Sequence, residues 1–268
     1  MRDIQTYYEL GLERDRIIAD GGNLEFVRTQ EIVRRFLPSP PASILDVGGG
    51  PGAHAVWLAR DGYQVHLIDP MPLHIEQATA AAAAQPNHPF TAALGDARQL
   101  DLPDASYDVA LLFGPLYHLT ERSERIAALT EARRVLRPGG RLFAVGISRF
   151  ASLLDSLRRN ALGNPEISRM VDDDLRTGVH RNPNLADAPG WFTTAYFHDP
   201  RDLTAEVETA GFTVDDLLAV EGPAAFVGNG WDDPARRPQI LATARVVERE
   251  PNLFGASAHL MVIATRPE

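Results

Sequence analysis

Residues 44–52 read Ile-Leu-Asp-Val-Gly-Gly-Gly-Pro-Gly, so an acid, Asp46, ends an apolar run and opens a loop that is nearly all glycine. A helical pattern follows at once (Ala53, Val56, Trp57, Ala59), and a second apolar run, Val65–Ile68, ends at another acid, Asp69. Glycine belongs where backbone must approach a ligand closely or take up positive φ. An acid closing the second strand of a βαβ unit suits a pair of ribose hydroxyls. Residue types in this order predict a nucleoside site.

Two nucleosides compete for it. Gly48, Gly50 and Ala53 fit the G-x-G-x-x-G/A spacing of a dinucleotide site, where a helix N-terminus faces a pyrophosphate. Asp46 argues against that. Its carboxylate would repel a pyrophosphate but can accept hydrogen bonds from a ligand's ammonium group. S-adenosylmethionine carries an ammonium, a sulfonium, a ribose and an adenine but no phosphate, so the charge at this loop favours it over NAD.

The run Ile44–Gly52 resembles the first motif of the class I S-adenosylmethionine-dependent methyltransferases, an acid followed by G-x-G-x-G, here Asp46, Gly48, Gly50 and Gly52. Further matches follow in order. Gly95-Asp96-Ala97 looks like the segment whose acid meets the adenine amino group, Tyr107–Phe113 like the fourth strand, and Val135-Leu136-Arg137-Pro138-Gly139-Gly140 like the turn before the fifth. The resemblance is strong over residues 40–150 and looser over the whole chain, and it points to the small-molecule, natural-product branch. It implies Asp46, Gly48 and Gly50 along the methionine part, Asp69 on the ribose, and Asp96 with Ala97 at the adenine. Met71 would lie against an adenine face, and Phe113 would pass under the cofactor. Tyr8 and Arg28 resemble a pattern in which N-terminal helices fold over the cofactor, placing a ring near the sulfonium and a guanidinium near the carboxylate. Other roles stay open. Asp69 also suits a helix N-cap, Asp96 a surface network with Arg98, and Arg28 a helical pair with Glu25 or Glu31.

Methyl transfer is an in-line displacement, for which a protein supplies orientation, desolvation and sometimes a base. His118 follows the fourth-strand segment, and His180 and His198 lie in or beside an aromatic stretch with Tyr196, Trp191, Phe192 and Phe197. Those three histidines and Tyr196 are the catalytic candidates, with Arg149, Tyr117 and Glu221 as supporting polar groups. Packing is the alternative role for each histidine. No metal constellation stands out.

The elements that position these residues alternate strand and helix. Strands are expected near 44–48, 64–68, 90–93, 108–113 and 141–147, and helices near 53–61, 73–84 and 122–136. Such alternation implies a parallel sheet covered on both faces. The expected fold is α/β, a Rossmann-like seven-stranded methyltransferase sheet in one domain. Residues 1–37 would form an N-terminal helical cap, 40–149 the cofactor-binding core, 150–198 a lid inserted after the fifth strand, and 199–268 the rest of the core. Within 150–198 only one helix is expected, near 150–160. Beyond it come a helix at 200–210, a strand at 213–221, a helix at 235–249 and a last strand at 258–265. In the resembling family that last strand inserts antiparallel between the fifth and sixth.

The chain has 268 residues, no cysteine and a net charge of −10, which excludes disulfides and thiol chemistry and disfavours nucleic acid as a partner. No apolar run reaches ~18 residues and Met1–Gln5 opens no signal peptide, so a cytoplasmic monomer or homodimer without a membrane partner is expected. The expected activity is methylation by S-adenosylmethionine of an O, N or C nucleophile on a small aromatic or heterocyclic metabolite, releasing S-adenosylhomocysteine. A non-catalytic S-adenosylmethionine-binding protein, a protein methyltransferase and an NAD-dependent oxidoreductase are the rivals.

Overall fold

A computed structural model describes residues 23–182, 192–226 and 228–268. Its centre is β1 (Ser43–Val47), which pairs in parallel with β2 (Gln64–Asp69) on one side and β4 (Tyr107–Leu112) on the other. Beyond β2 lies β3 (Thr91–Leu94), and beyond β4 lies β5 (Leu136–Ser148), both parallel. The final strand, β9 (His259–Thr265), runs antiparallel between β5 and β8 (Thr213–Ala219). The seven-stranded order is therefore β3-β2-β1-β4-β5-β9-β8.

Side chains alternate across a strand, and this alternation builds two cores. Leu45, Val47, Ala110 and Leu112 face one layer, with Leu129 and Val135 of α5 (Arg122–Val135) and Leu203 and Val207 of α8 (Pro200–Thr209). Ile44, Val109, Leu111 and Phe143 face the other. There they meet Ile32 and Val33 of α1 (Leu24–Phe36), Leu58 of α2 (Ala53–Arg60) and Ala78 of α3 (Pro72–Ala83). Asp46 shares the parity of Ile44, so an otherwise apolar strand turns a carboxylate toward the second layer.

Residues after β5 depart from expectation. Besides α6 (Ala151–Arg158), a second helix, α7, spans Pro165–Thr177 and absorbs the acidic run Asp172–Asp174. Asn164 caps it by accepting from Glu166 N at 2.9 Å, and Gly178 ends it at φ +76°. A short ribbon of β6 (Val179–His180) and β7 (Ala195–His198) then joins the end of β5 through Ile147 and Ser148. The fifth strand also starts earlier than expected, at Leu136, with a register shift opposite Tyr107–Val109. Among the described residues, the remaining α-helices are α4 (Pro115–His118) and α9 (Arg237–Val247). Among the described residues, no helix is long and apolar enough to cross a membrane.

Candidate active site

Where β1, β2, β3 and β4 end, their following loops enclose a cavity of about 220 Å³. Asp46, Gly48 and Gly50 line it from the first loop, Asp69 and Met71 from the second, Asp96 and Ala97 from the third. Phe113, Tyr117 and His118 line it after β4, and Glu25 of α1 and His54 of α2 complete the wall.

Left-handed backbone shapes the first loop. Gly48 (φ +68°), Gly50 (φ +57°) and Gly52 (φ +88°) turn the chain beneath the cavity in a region that side chains rarely enter. At Gly48 the packing also requires glycine, because a Cβ would lie 2.8 Å from the Pro115 ring.

Asp46 is 1% exposed, and neither carboxylate oxygen has a hydrogen-bond partner among the described residues. Burial first, and the neighbouring Asp69 second, push its carboxyl up to about 7. A buried, unpartnered acid on a cavity wall is costly unless a ligand cation completes it. The ammonium of S-adenosylmethionine fits that requirement. Asp69 is held differently. Its Oδ1 accepts from Met71 N and His74 Nδ1, both at 2.9 Å, and Oδ2 accepts from Gly50 N at 2.9 Å. A carboxylate offers about four acceptor positions, so Oδ2 retains one for a ribose hydroxyl. Asp69 does not cap α3, whose N-cap is Met71.

Asp96 lies on the wall, yet its carboxylate is clasped by Arg98, whose Nε donates to Oδ1 at 3.0 Å. Hydrogen bonds from Arg98 hold its pKa below the usual carboxylate range. The surface-network alternative therefore describes this side chain.

His54 was not among the expected residues. Trp57 Nε1–H donates to its Nδ1 at 3.2 Å, so that nitrogen is an acceptor and the ring proton sits on Nε2. Phe26 and Phe113 flank the ring at 5.1 and 4.8 Å, and burial pushes its pKa down to about 4. The cavity thus meets a neutral imidazole. Its one sequence signal is a polar ring directly after the glycine loop, at the second position of α2.

Four expected site residues lie off the cavity wall. Arg28 is fully buried in α1, where its Nε donates to Val220 O at 3.0 Å and its other nitrogens meet Glu248 at 2.7 Å and Glu31 at 2.9 Å. Two acids and a carbonyl neutralise this guanidinium, which leaves it a staple between α1 and the C-terminal part of the chain. His180 Nδ1 donates to Asp174 Oδ2 at 2.8 Å, and the ring stacks on Phe197 at 4.8 Å. His198 is fully buried against Glu206 at 3.4 Å, and burial lowers its pKa. Tyr196 lies between Arg125, 3.6 Å from its ring centre, and Arg149 at 5.6 Å. Because β7 has joined the sheet, its side chains pack there instead of reaching the cavity. Tyr8 and Trp191 fall outside the described residues. His118 does line the cavity, its ring 4.7 Å from Tyr117 and 5.7 Å from Phe192.

Residues 44–140 match the family model described as a methyltransferase domain. The ubiquinone/menaquinone biosynthesis C-methyltransferase UbiE of Caulobacter sp. (strain K31) is 32% identical over 252 residues, covering 86% of this chain and 95% of its own. Its namesake in Caulobacter vibrioides (strain NA1000 / CB15N) is 26% identical over 254 residues, with the same coverage of 86% and 95%. A S-adenosylmethionine-dependent methyltransferase structure from Methanosarcina mazei superposes with a TM-score of 0.60 at 19% identity, over 88% of this chain and 97% of that one. Together with a glycine loop and an unpartnered acid suited to an ammonium, the near full-length relative places the chain among the class I methyltransferases, enzymes that take their methyl group from S-adenosylmethionine.

Proposed function

We propose that the protein methylates an O, N or C nucleophile of a small aromatic or heterocyclic metabolite. One observation carries this: a single cavity runs from the unpartnered Asp46 to a wall of Phe113, Tyr117 and His118. A cofactor's cationic end belongs at the first, and an aromatic acceptor belongs against the second. The relatives named C-methyltransferases favour a carbon acceptor. When bound, S-adenosylmethionine supplies an electrophilic methyl group on a sulfonium. Asp46 holds the ammonium, Asp69 Oδ2 takes a ribose hydroxyl, and His118 orients the acceptor or accepts its proton.

Residues 150–198 are the proposed cover of the acceptor end, supported by the contact of Phe192 with Tyr117 and His118. Residues 1–37 are the proposed cap over the cofactor. The protein is proposed to act in the cytoplasm, on a small molecule rather than on nucleic acid.

Calorimetric titration with S-adenosylhomocysteine, with NAD in parallel, tests the foundation. Binding of S-adenosylhomocysteine alone is expected, and a preference for NAD would overturn the proposal. His118→Ala is expected to slow turnover about 100-fold, the lower end of general-base contributions, while leaving S-adenosylhomocysteine affinity within about twofold. Unchanged turnover across the pH range would reduce His118 to packing.

A further inference from the structure

Resting on the methyltransferase reading, we propose that His54 Nε2–H holds the carboxylate of S-adenosylmethionine, and that Trp57 keeps the imidazole in the tautomer this needs. The cofactor's ammonium and carboxylate share one carbon. A ligand whose ammonium meets Asp46 therefore brings a carboxylate to the same end of the cavity. Arg28, the residue expected to serve it, is bound instead to Glu248, Glu31 and Val220 O.

The local fold sets His54 beside Asp46. Val47 of β1 pairs with Leu112 of β4, so Gly48 and Phe113 leave the sheet side by side. A Cβ on Gly114 would lie 3.3 Å from Gly48 O, and one on Gly49 would lie 2.7 Å from Asp46 Oδ2. The glycine loop thus lies against both the Asp46 carboxylate and the end of β4. His54 follows this loop on α2, and its ring meets Phe113 at 4.8 Å on the cavity wall. Phe26 of α1 packs on the same ring at 5.1 Å.

Trp57 lies one turn further along α2. An indole N–H can only donate, so its 3.2 Å bond to Nδ1 assigns the proton of the neutral ring to Nε2. Arg34, 4.5 Å from the indole centre, helps hold that donor in place. Nε2 itself has no hydrogen-bond partner among the described residues. Burial keeps the imidazole neutral, lowering its pKa to about 4 against the opposing pull of Glu25. Neutrality is what this position requires. A lysine or arginine beside Asp46 would pair with it and take the ammonium's place. A neutral N–H serves the carboxylate and leaves Asp46 to the ammonium, so the two side chains together select a zwitterion.

Other side-chain donors on the described wall are committed elsewhere. His74 Nδ1 is bonded to Asp69 Oδ1, and Arg98 is paired with Asp96 and Glu124. Tyr117 and His118 lie on α4, at the end of the cavity proposed for the acceptor.

Calorimetric titration of the full chain with two ligands tests the assignment. One is S-adenosylhomocysteine, and the other is its decarboxylated analogue, in which an aminopropyl chain replaces the aminocarboxypropyl chain. Wild type should prefer S-adenosylhomocysteine about 10- to 100-fold. His54→Phe keeps a flat ring between Phe26 and Phe113 but no donor. It should lose most of that preference by weakening S-adenosylhomocysteine alone, with the analogue bound within about twofold of wild type. Asp46→Asn should weaken both ligands and keep the preference, because both carry the ammonium. Trp57→Phe tests the same donor with His54 in place, and should cut the preference about 3- to 10-fold. Histidine-labelled NMR should show the Nε2–H tautomer of His54 in wild type and a mixture of tautomers in Trp57→Phe. Equal affinity of wild type for the two ligands, a preference that survives in His54→Phe, or an Nδ1–H tautomer in wild type would each overturn the assignment. Wild type that binds neither ligand would instead count against the methyltransferase reading itself.

Discussion

Asp46→Asn is expected to stabilise the ligand-free protein at pH 8 and at the same time weaken S-adenosylhomocysteine binding roughly 10- to 100-fold. The stability effect follows from linkage. In the folded state, burial and Asp69 raise the carboxyl of Asp46 from its ordinary value of 3.8 to about 7. Between those values the native protein keeps a proton that the unfolded chain has released, so stability falls as pH rises through the window. Above it the full penalty is present, with a ceiling of about 4 kcal/mol. Asparagine carries no such penalty. Melting curves of wild type and variant should therefore diverge at pH 8, with the variant higher, and converge near pH 4. Binding runs the other way, because an ammonium gains from a carboxylate and little from an amide. Wild-type affinity should also decline below pH 7, where the ligand must displace a proton. Equal affinities in the two proteins would remove Asp46 from the site.

Glu206→Ala is expected to lower Tm by roughly 10 °C, the effect of about 3–5 kcal/mol in a chain of this size. Arg125 is 1% exposed, and its Nε and Nη2 donate to the two Glu206 oxygens at 2.8 and 2.7 Å. Removing the acid strands a guanidinium in the interior. Burial alone would raise the Glu206 pKa, but hydrogen bonds from His198 and Arg125 outweigh it and lower the value to about 2. Its stabilising contribution is thus present above pH 4.5 and fades as pH falls toward 2. Arg125 Nη1 also donates to Leu119 O and Thr120 O, both at 2.9 Å, directly after His118. Amide exchange in the segment after His118 should accelerate in the variant. A melting temperature within 2 °C of wild type would show that α5 and α8 hold without the pair.

Local patterns carried most of the fold. The alternation from residue 44 to 147 predicts the parallel sheet, because each signal spans only a turn or a strand. α7 was legible too, in Asn164-Pro165 at one end and Gly178 at the other, but its acidic run masks the apolar stripe of Met170 and Val171. The site divides the same way. Asp46, Gly48, Gly50 and Asp69 sit together because one loop and one strand end bring them there. Arg28 misleads because Glu248, 220 residues away, decides its role. His180, Tyr196 and His198 sit in an aromatic stretch whose composition reads as a pocket, while pairing of β7 with β5 turns it into packing. Glu221 meets His259, 38 residues away, only because β9 folds back beside β8.

β9 follows β8 in sequence, yet it lies between β5 and β8 and bonds to both. During synthesis, then, β5 has no strand on its β9 side until residues 259–265 have emerged. Arg28 and Arg35 wait similarly for Glu248. An unpaired, apolar strand edge is a template for other chains. Until β9 is made, the nascent chain carries an open apolar strand edge on β5 that other chains can pair with.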